Sequence, residues 1–136
     1  MTTSRRSRRD ELTERATLSI PGTPPSLNQI GFHSHWSKGR KAKQDWEQWL
    51  QIALLEQRVP KGLSSVAARA TIRFKQRRRR DEGNHRTLIE KALGDVLVSG
   101  GWLPDDTPEH YRFGAVELLA PCERAETILV LDYPTG

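Results

Sequence analysis

The sequence predicts an α/β fold: a single small domain with a mixed β-sheet and two main helices. Three observations carry this. The chain has 136 residues, which suits one domain around one core. Apolar residues alternate at period two in some stretches and recur at helical spacing in others. The stretches follow one another as strand, helix, strand, helix, strand, strand, the order of an α/β sheet with packed helices.

Residues 1–14 are polar, basic and poor in apolar side chains, and read as a flexible basic tail. The domain then covers 15–136. Ala16–Ile20 is a short strand closed by Pro21-Gly22. Pro24-Pro25-Ser26 forces an extended or turning path. From Ser37 a helix develops, with Ala42, Trp46, Trp49, Leu50, Ala53 and Leu54 along one face. Pro60 and Gly62 end that region.

The clearest strand follows. Ala68, Ala70, Ile72 and Phe74 alternate with Arg69, Thr71, Arg73 and Lys75, giving one apolar and one cationic face. Gly83-Asn84 breaks it, and Asn84 can cap the next helix. There Leu88, Ile89, Ala92, Leu93, Val96 and Leu97 form a broad buried face, stopped by Gly100-Gly101. A loop carries Trp102, Pro104, Asp105, Asp106 and Pro108. Two strands close the chain, Tyr111–Leu119 and Thr127–Leu131. Ile128 to Leu131 is apolar on both faces, as expected of a covered central strand.

Charge narrows the function. The net charge is +5, and the excess is clustered. Arg5, Arg6, Arg8 and Arg9 form one group, and Lys38, Arg40, Lys41 and Lys43 a second. Arg73 to Arg80 form the third, ending in Arg77, Arg78, Arg79 and Arg80. Clustered base is an electrostatic footprint for nucleic acid. Contact with backbone phosphates predicts binding that weakens steeply with salt. No base-reading motif is visible, so shape recognition is favoured. No long apolar run and no signal-peptide pattern occur, which argues against a membrane and for the cytoplasm. Cys122 is the sole cysteine, excluding an intrachain disulfide and a cysteine zinc site. It reads as a packing or surface residue. His33 and His35 are too isolated for a zinc site. Trp46 and Trp49 read as core or interface anchors, and Trp36 as a packed loop residue or a base-stacking group.

Acids crowd beside the arginines. Asp81 and Glu82 follow Arg80, Asp95 lies on the second helix, and Asp105–Asp106 lies on the loop after it. At about 100° per residue, Asn84, Lys91 and Asp95 share a narrow sector bordering the apolar face. Glu90 falls on the opposite edge and is set aside. A strand end, a helix edge and a returning loop can supply oxygen ligands to Mg²⁺. The ion could activate water against a phosphodiester, and Lys91 could stabilise developing charge. The plainer account also stands: helix capping by Asp81 and Glu82, a surface Lys91–Asp95 pair, and turn chemistry at Asp105–Asp106.

These residues resemble the RusA-like Holliday junction resolvases. The matching segments are Arg77-Arg78-Arg79-Arg80-Asp81-Glu82-Gly83-Asn84, then Lys91-Ala92-Leu93-Gly94-Asp95, then Gly100-Gly101-Trp102-Leu103-Pro104-Asp105-Asp106. Ile20-Pro21-Gly22-Thr23-Pro24-Pro25-Ser26-Leu27-Asn28 is similar to the family's opening. The resemblance spans about Leu18 to Leu131. It implies a homodimer, often of phage or prophage origin, that makes paired symmetric nicks in four-way DNA junctions during recombination and repair. It also implies Mg²⁺, with Mn²⁺ able to substitute. By position, Asp81, Lys91, Asp95 and Asp106 are the catalytic set, and Asp81, Glu82, Asp95, Asp105 and Asp106 the metal set.

The chain departs from the family pattern at two places. Gly83 stands where the family has its second acid, with Glu82 one position early. The stretch from Asn84 to Lys91 is also longer by about one helical turn. Either the helix starts a turn sooner and Glu82 swings in as a ligand, or one ligand is missing, with His85 a partial substitute. Two other readings stay open: a non-catalytic nucleic-acid-binding protein, and a metal nuclease acting on flaps or single strands.

Overall fold

In a computed structural model of the chain, residues 12–23, 36–76 and 82–134 are described, without the side chains of 36–40 and 82–84. Six elements form: β1 (Glu14–Pro21), α1 (Trp36–Glu56), β2 (Val66–Arg73), α2 (Glu82–Ser99), β3 (Tyr111–Leu119) and β4 (Glu126–Tyr133). This is the expected α/β domain with a mixed sheet. The boundary at residue 14 shifts slightly, because Glu14 already pairs with Tyr133 in the sheet.

The strand order is β1-β4-β2-β3. β4 lies antiparallel between β1 and β2. β2 and β3 are parallel neighbours joined through α2, the long crossover that parallel strands require. Leu18 faces Leu129, Leu129 faces Ala70, and Ala70 faces Val116 across the sheet. That row is buried. Against it pack Trp46, Leu50 and Leu54 of α1, with Ile89, Leu93 and Leu97 of α2. Each fully buried leucine or isoleucine contributes about 1.5–3 kcal/mol of transfer free energy.

β4 is central, as its apolar run predicts, but it is covered on one face only. Leu129 and Leu131 are fully buried, whereas Ile128 and Val130 are half-buried. Both helices lie on the Leu129 side. The opposite face is not simply cationic either. Arg69 pairs with Asp132 at 3.4 Å and Arg73 with Glu126 at 3.0 Å. Arg15 shares Asp132 at 2.7 Å. These arginines are matched by β4 carboxylates that lie far from them in sequence. No described helix is long and apolar enough to cross a membrane.

Candidate functional site

α2 presents Lys91 and Asp95 one turn apart, because residues four apart share a helix face. The Lys91 ammonium lies 3.7 Å from Asp95 Oδ1. The other oxygen, Oδ2, accepts a hydrogen bond from Lys43 Nζ of α1 at 2.7 Å. Glu47 lies 3.6 Å from the same ammonium. The hydrogen bond to Asp95 raises the Lys43 pKa above its usual value, burial works against it, and the charges of Asp95 and Glu47 add to the rise. Lys43 is therefore a permanent cation at neutral pH, placed between two helices.

The acidic loop is fixed at both ends. At its root, Trp102 is fully buried, its indole N–H donates to the Val59 carbonyl at 2.9 Å, and its backbone N–H donates to Leu97 at 2.8 Å. Its ring lies against Gly100, where any side chain would overlap it. At the far end the Thr107 carbonyl accepts from the backbone N–H of His110 and of Tyr111. Between these anchors the Asp106 N–H donates to Asp105 Oδ1 at 2.7 Å. Asp105 thus organises the turn, while Asp106 is exposed.

Lys91 and Asp106 line one cleft of about 530 Å³, together with Thr87, Glu90, Tyr111, Arg112 and other residues of α2, the loop and β3. Tyr111 is its buried wall. Its hydroxyl donates to the Glu90 carbonyl at 2.8 Å. Burial pushes the Tyr111 pKa far up; the charge of Glu90 adds, Arg86 opposes, and Asp106 and Asp95 add further. One hydroxyl therefore feels both Asp95 and Asp106. Lys91 links the two acids: it touches Asp95 and borders the cleft of Asp106.

The expected residues fall into three groups. Asp81 and Arg77, Arg78, Arg79 and Arg80 lie outside the described residues, as do the side chains of Lys38, Arg40 and Glu82. Lys41 is exposed. Lys43, Lys91, Asp95, Asp105 and Asp106 stand in the contacts just given. α2 begins at Glu82, earlier than the Asn84 cap predicts, as the longer spacing to Lys91 allows. Glu82 and Asp95 sit near opposite ends of this unbroken helix, about 20 Å apart along its axis. Two carboxylates cannot share one ion at about 2.1 Å across that distance.

Sequence reasoning missed several cleft residues. Glu90, set aside on the helical wheel, lines the cleft beside Lys91. A cleft is wider than one wheel sector, and Arg86 holds the Glu90 carboxylate at 3.2 Å. Arg112 and Tyr111 come from β3, and no spacing in the chain marks them. His85 is buried, its ring 5.2 Å from that of Phe74.

Among the described residues no three His, Cys, Asp or Glu side chains gather as a metal-holding group. The donor chemistry nevertheless fits Mg²⁺. Asp106 offers a hard, exposed oxygen donor at the cleft, and Mg²⁺ needs only one or two carboxylates plus waters.

The fold defines a small two-layer α/β domain. No family model matches the chain, and no curated protein matches it. Among solved structures, it is similar to the hydrogenase maturation protein HypE at 8% identity and a TM-score of 0.34. That alignment covers 90% of this chain and 32% of the other.

Proposed function

We propose that the chain is a Mg²⁺-dependent, structure-selective DNA endonuclease that resolves four-way junctions by paired nicks. The observation that carries this reading is the cleft shared by Lys91 and Asp106, with Asp95 in contact with that same lysine. Clustered base and a net charge of +5 favour a polyanionic substrate. The resemblance to RusA-like resolvases joins the two.

On this reading Asp106 holds the ion, with waters completing its shell, and the family resemblance implies Asp81 and Glu82 as further ligands. Bound there, Mg²⁺ would polarise the scissile phosphodiester and lower the pKa of an attacking water. Lys91 neutralises charge developing on the phosphate. Arg112, on the cleft wall, and Lys41 contact flanking phosphates, and Arg77 to Arg80 extend that contact along the strand.

Two-fold DNA calls for a two-fold protein, so the active species is a homodimer. Trp49, Ile52 and Leu55 of α1 are 43%, 47% and 54% exposed. Trp49 and Ile52 line a groove with Ser19, Ile20 and Pro21 of the edge strand β1 and with Glu56, a largely apolar surface of the kind that suits a subunit interface.

The test is a panel of junction, flap, duplex and single-strand DNA, incubated with Mg²⁺ or with EDTA. Symmetric junction cleavage that EDTA abolishes supports the proposal. Preferred flap or single-strand cleavage points instead to a different metal nuclease. Tight binding with no cleavage in Mg²⁺ or Mn²⁺ points to a non-catalytic binding protein.

A further inference from the structure

The two oxygens of Asp95 each face a lysine from a different helix. Lys43 approaches Oδ2 at 2.7 Å and Lys91 approaches Oδ1 at 3.7 Å. Lys43 and Asp95 are about one-third exposed, at 33% and 30%, and Lys91 is 63% exposed. The carboxylate already has two monovalent counter-ions, so a divalent cation gains little there until an ammonium leaves. Distance along α2 separates it from Glu82, another of the expected ligands. Both features argue against Asp95 as a metal ligand.

We propose that Asp95 is a positioning residue, which holds Lys43 and Lys91 as a pair of ammonium groups for one nucleic-acid phosphate. Fixing a lysine side chain costs rotamer entropy. A carboxylate between two lysines fixes both before the substrate arrives. Each ammonium has three donors, so one can face Asp95 while the others face a phosphate oxygen. Lys43 thereby joins the site from α1, and its contact with Asp95 ties the two helices at the edge of the cleft that Lys91 lines. Glu47 limits how far Lys43 can swing. This inference rests on the nucleic-acid reading above, but it assigns Asp95 a role different from the one the family resemblance implies.

The sign of one measurement separates the two roles of charge. Deleting a carboxylate near a polyanion ordinarily tightens binding, because repulsion is relieved. Deleting one that orients two lysines loosens it. Junction binding is measured in EDTA by fluorescence anisotropy, with wild type, Asp95→Asn and the control Asp45→Asn. Asp45 is an acid of α1 two residues from Lys43. We expect Asp95→Asn to bind about three- to tenfold more weakly and to lower the salt slope by about one. Asp45→Asn should bind as wild type or slightly tighter. Combining Asp95→Asn with Lys43→Met should cost less than the sum of the two.

Mn²⁺ binding, followed by the electron paramagnetic resonance of the free ion, should change by less than about twofold in Asp95→Asn. Tighter DNA binding in Asp95→Asn, or a tenfold loss of Mn²⁺ affinity, overturns the assignment. If Asp95→Asn does not fold, Asp95→Glu keeps the charge and moves it by one methylene; about twofold weaker binding is then expected, and wild-type binding contradicts. Wild-type protein that binds no DNA would overturn the nucleic-acid reading itself, along with this inference.

Discussion

The ring of Tyr111 occupies the space that a side chain at Gly94 would need. A Cβ built on Gly94 lies 2.9 Å from Tyr111 Cε2 and 3.3 Å from Cδ2. The ring cannot retreat easily, because its hydroxyl is tied to the Glu90 carbonyl one turn earlier on α2. The glycine lets β3 pack closely on the helix that carries Lys91 and Asp95.

Gly94→Ala should therefore destabilise the protein although alanine is the better helix former. The helix gains up to about 1 kcal/mol, and overpacking costs about 1–3 kcal/mol. We expect a net loss of up to about 2 kcal/mol in chemical denaturation. An increase in stability would show that the ring has room to move.

Tyr111 also sets an alkaline limit. Its pKa is raised in the folded state, first by burial. The unfolded chain therefore loses this proton near pH 10, while the folded chain keeps it. Stability contributed by the neutral hydroxyl is complete below that pH and falls above it. Lys43, also raised, acts in the same direction. Tyr111→Phe should cost about 1 kcal/mol at pH 7 through the lost hydrogen bond, and should flatten the fall of melting temperature above pH 10. An unchanged alkaline slope would place its cause elsewhere.

The exposed face of α1 makes a third prediction. Trp49 makes an edge contact with Trp46 at 5.7 Å but is 43% exposed. Trp49→Glu should leave monomer stability within about 1 kcal/mol and shift the molecule to monomer in sedimentation velocity. A dimer that persists would move the interface away from this patch.

Much of the fold was legible in the sequence. Tyr111–Leu119 matches its predicted bounds, and both helices lie where their apolar spacing puts them. Strand ends were less legible, because pairing rather than side-chain pattern extends them: Glu14 and Arg15 are polar, yet face Tyr133 and Asp132. The apolar run of β4 marks it as a central strand, but which strands flank it leaves no local trace. Of the two anchors that spacing marks as core or interface residues, Trp46 is buried in the core and Trp49 lies exposed at the edge of the stripe formed by Trp46, Leu50 and Leu54.

The site was legible in part. Helical periodicity placed Lys91 and Asp95 on one stripe. The Lys43–Asp95 contact joins residues on different helices, and the charge pattern, which points Lys43 at phosphate, gives no sign of that carboxylate. Asp106 and Lys91 line one cleft because Trp102 anchors one end of the loop and Tyr111 begins β3 at the other. Those are tertiary facts.

The most direct measurement is single-turnover cleavage of a synthetic four-way junction by wild type and by Asp106→Asn, in Mg²⁺, with DNA binding followed in parallel. The account predicts symmetric nicks by wild type. It predicts a loss of about 10²–10³-fold in rate for Asp106→Asn, with junction binding retained. Cleavage by Asp106→Asn at the wild-type rate would contradict it.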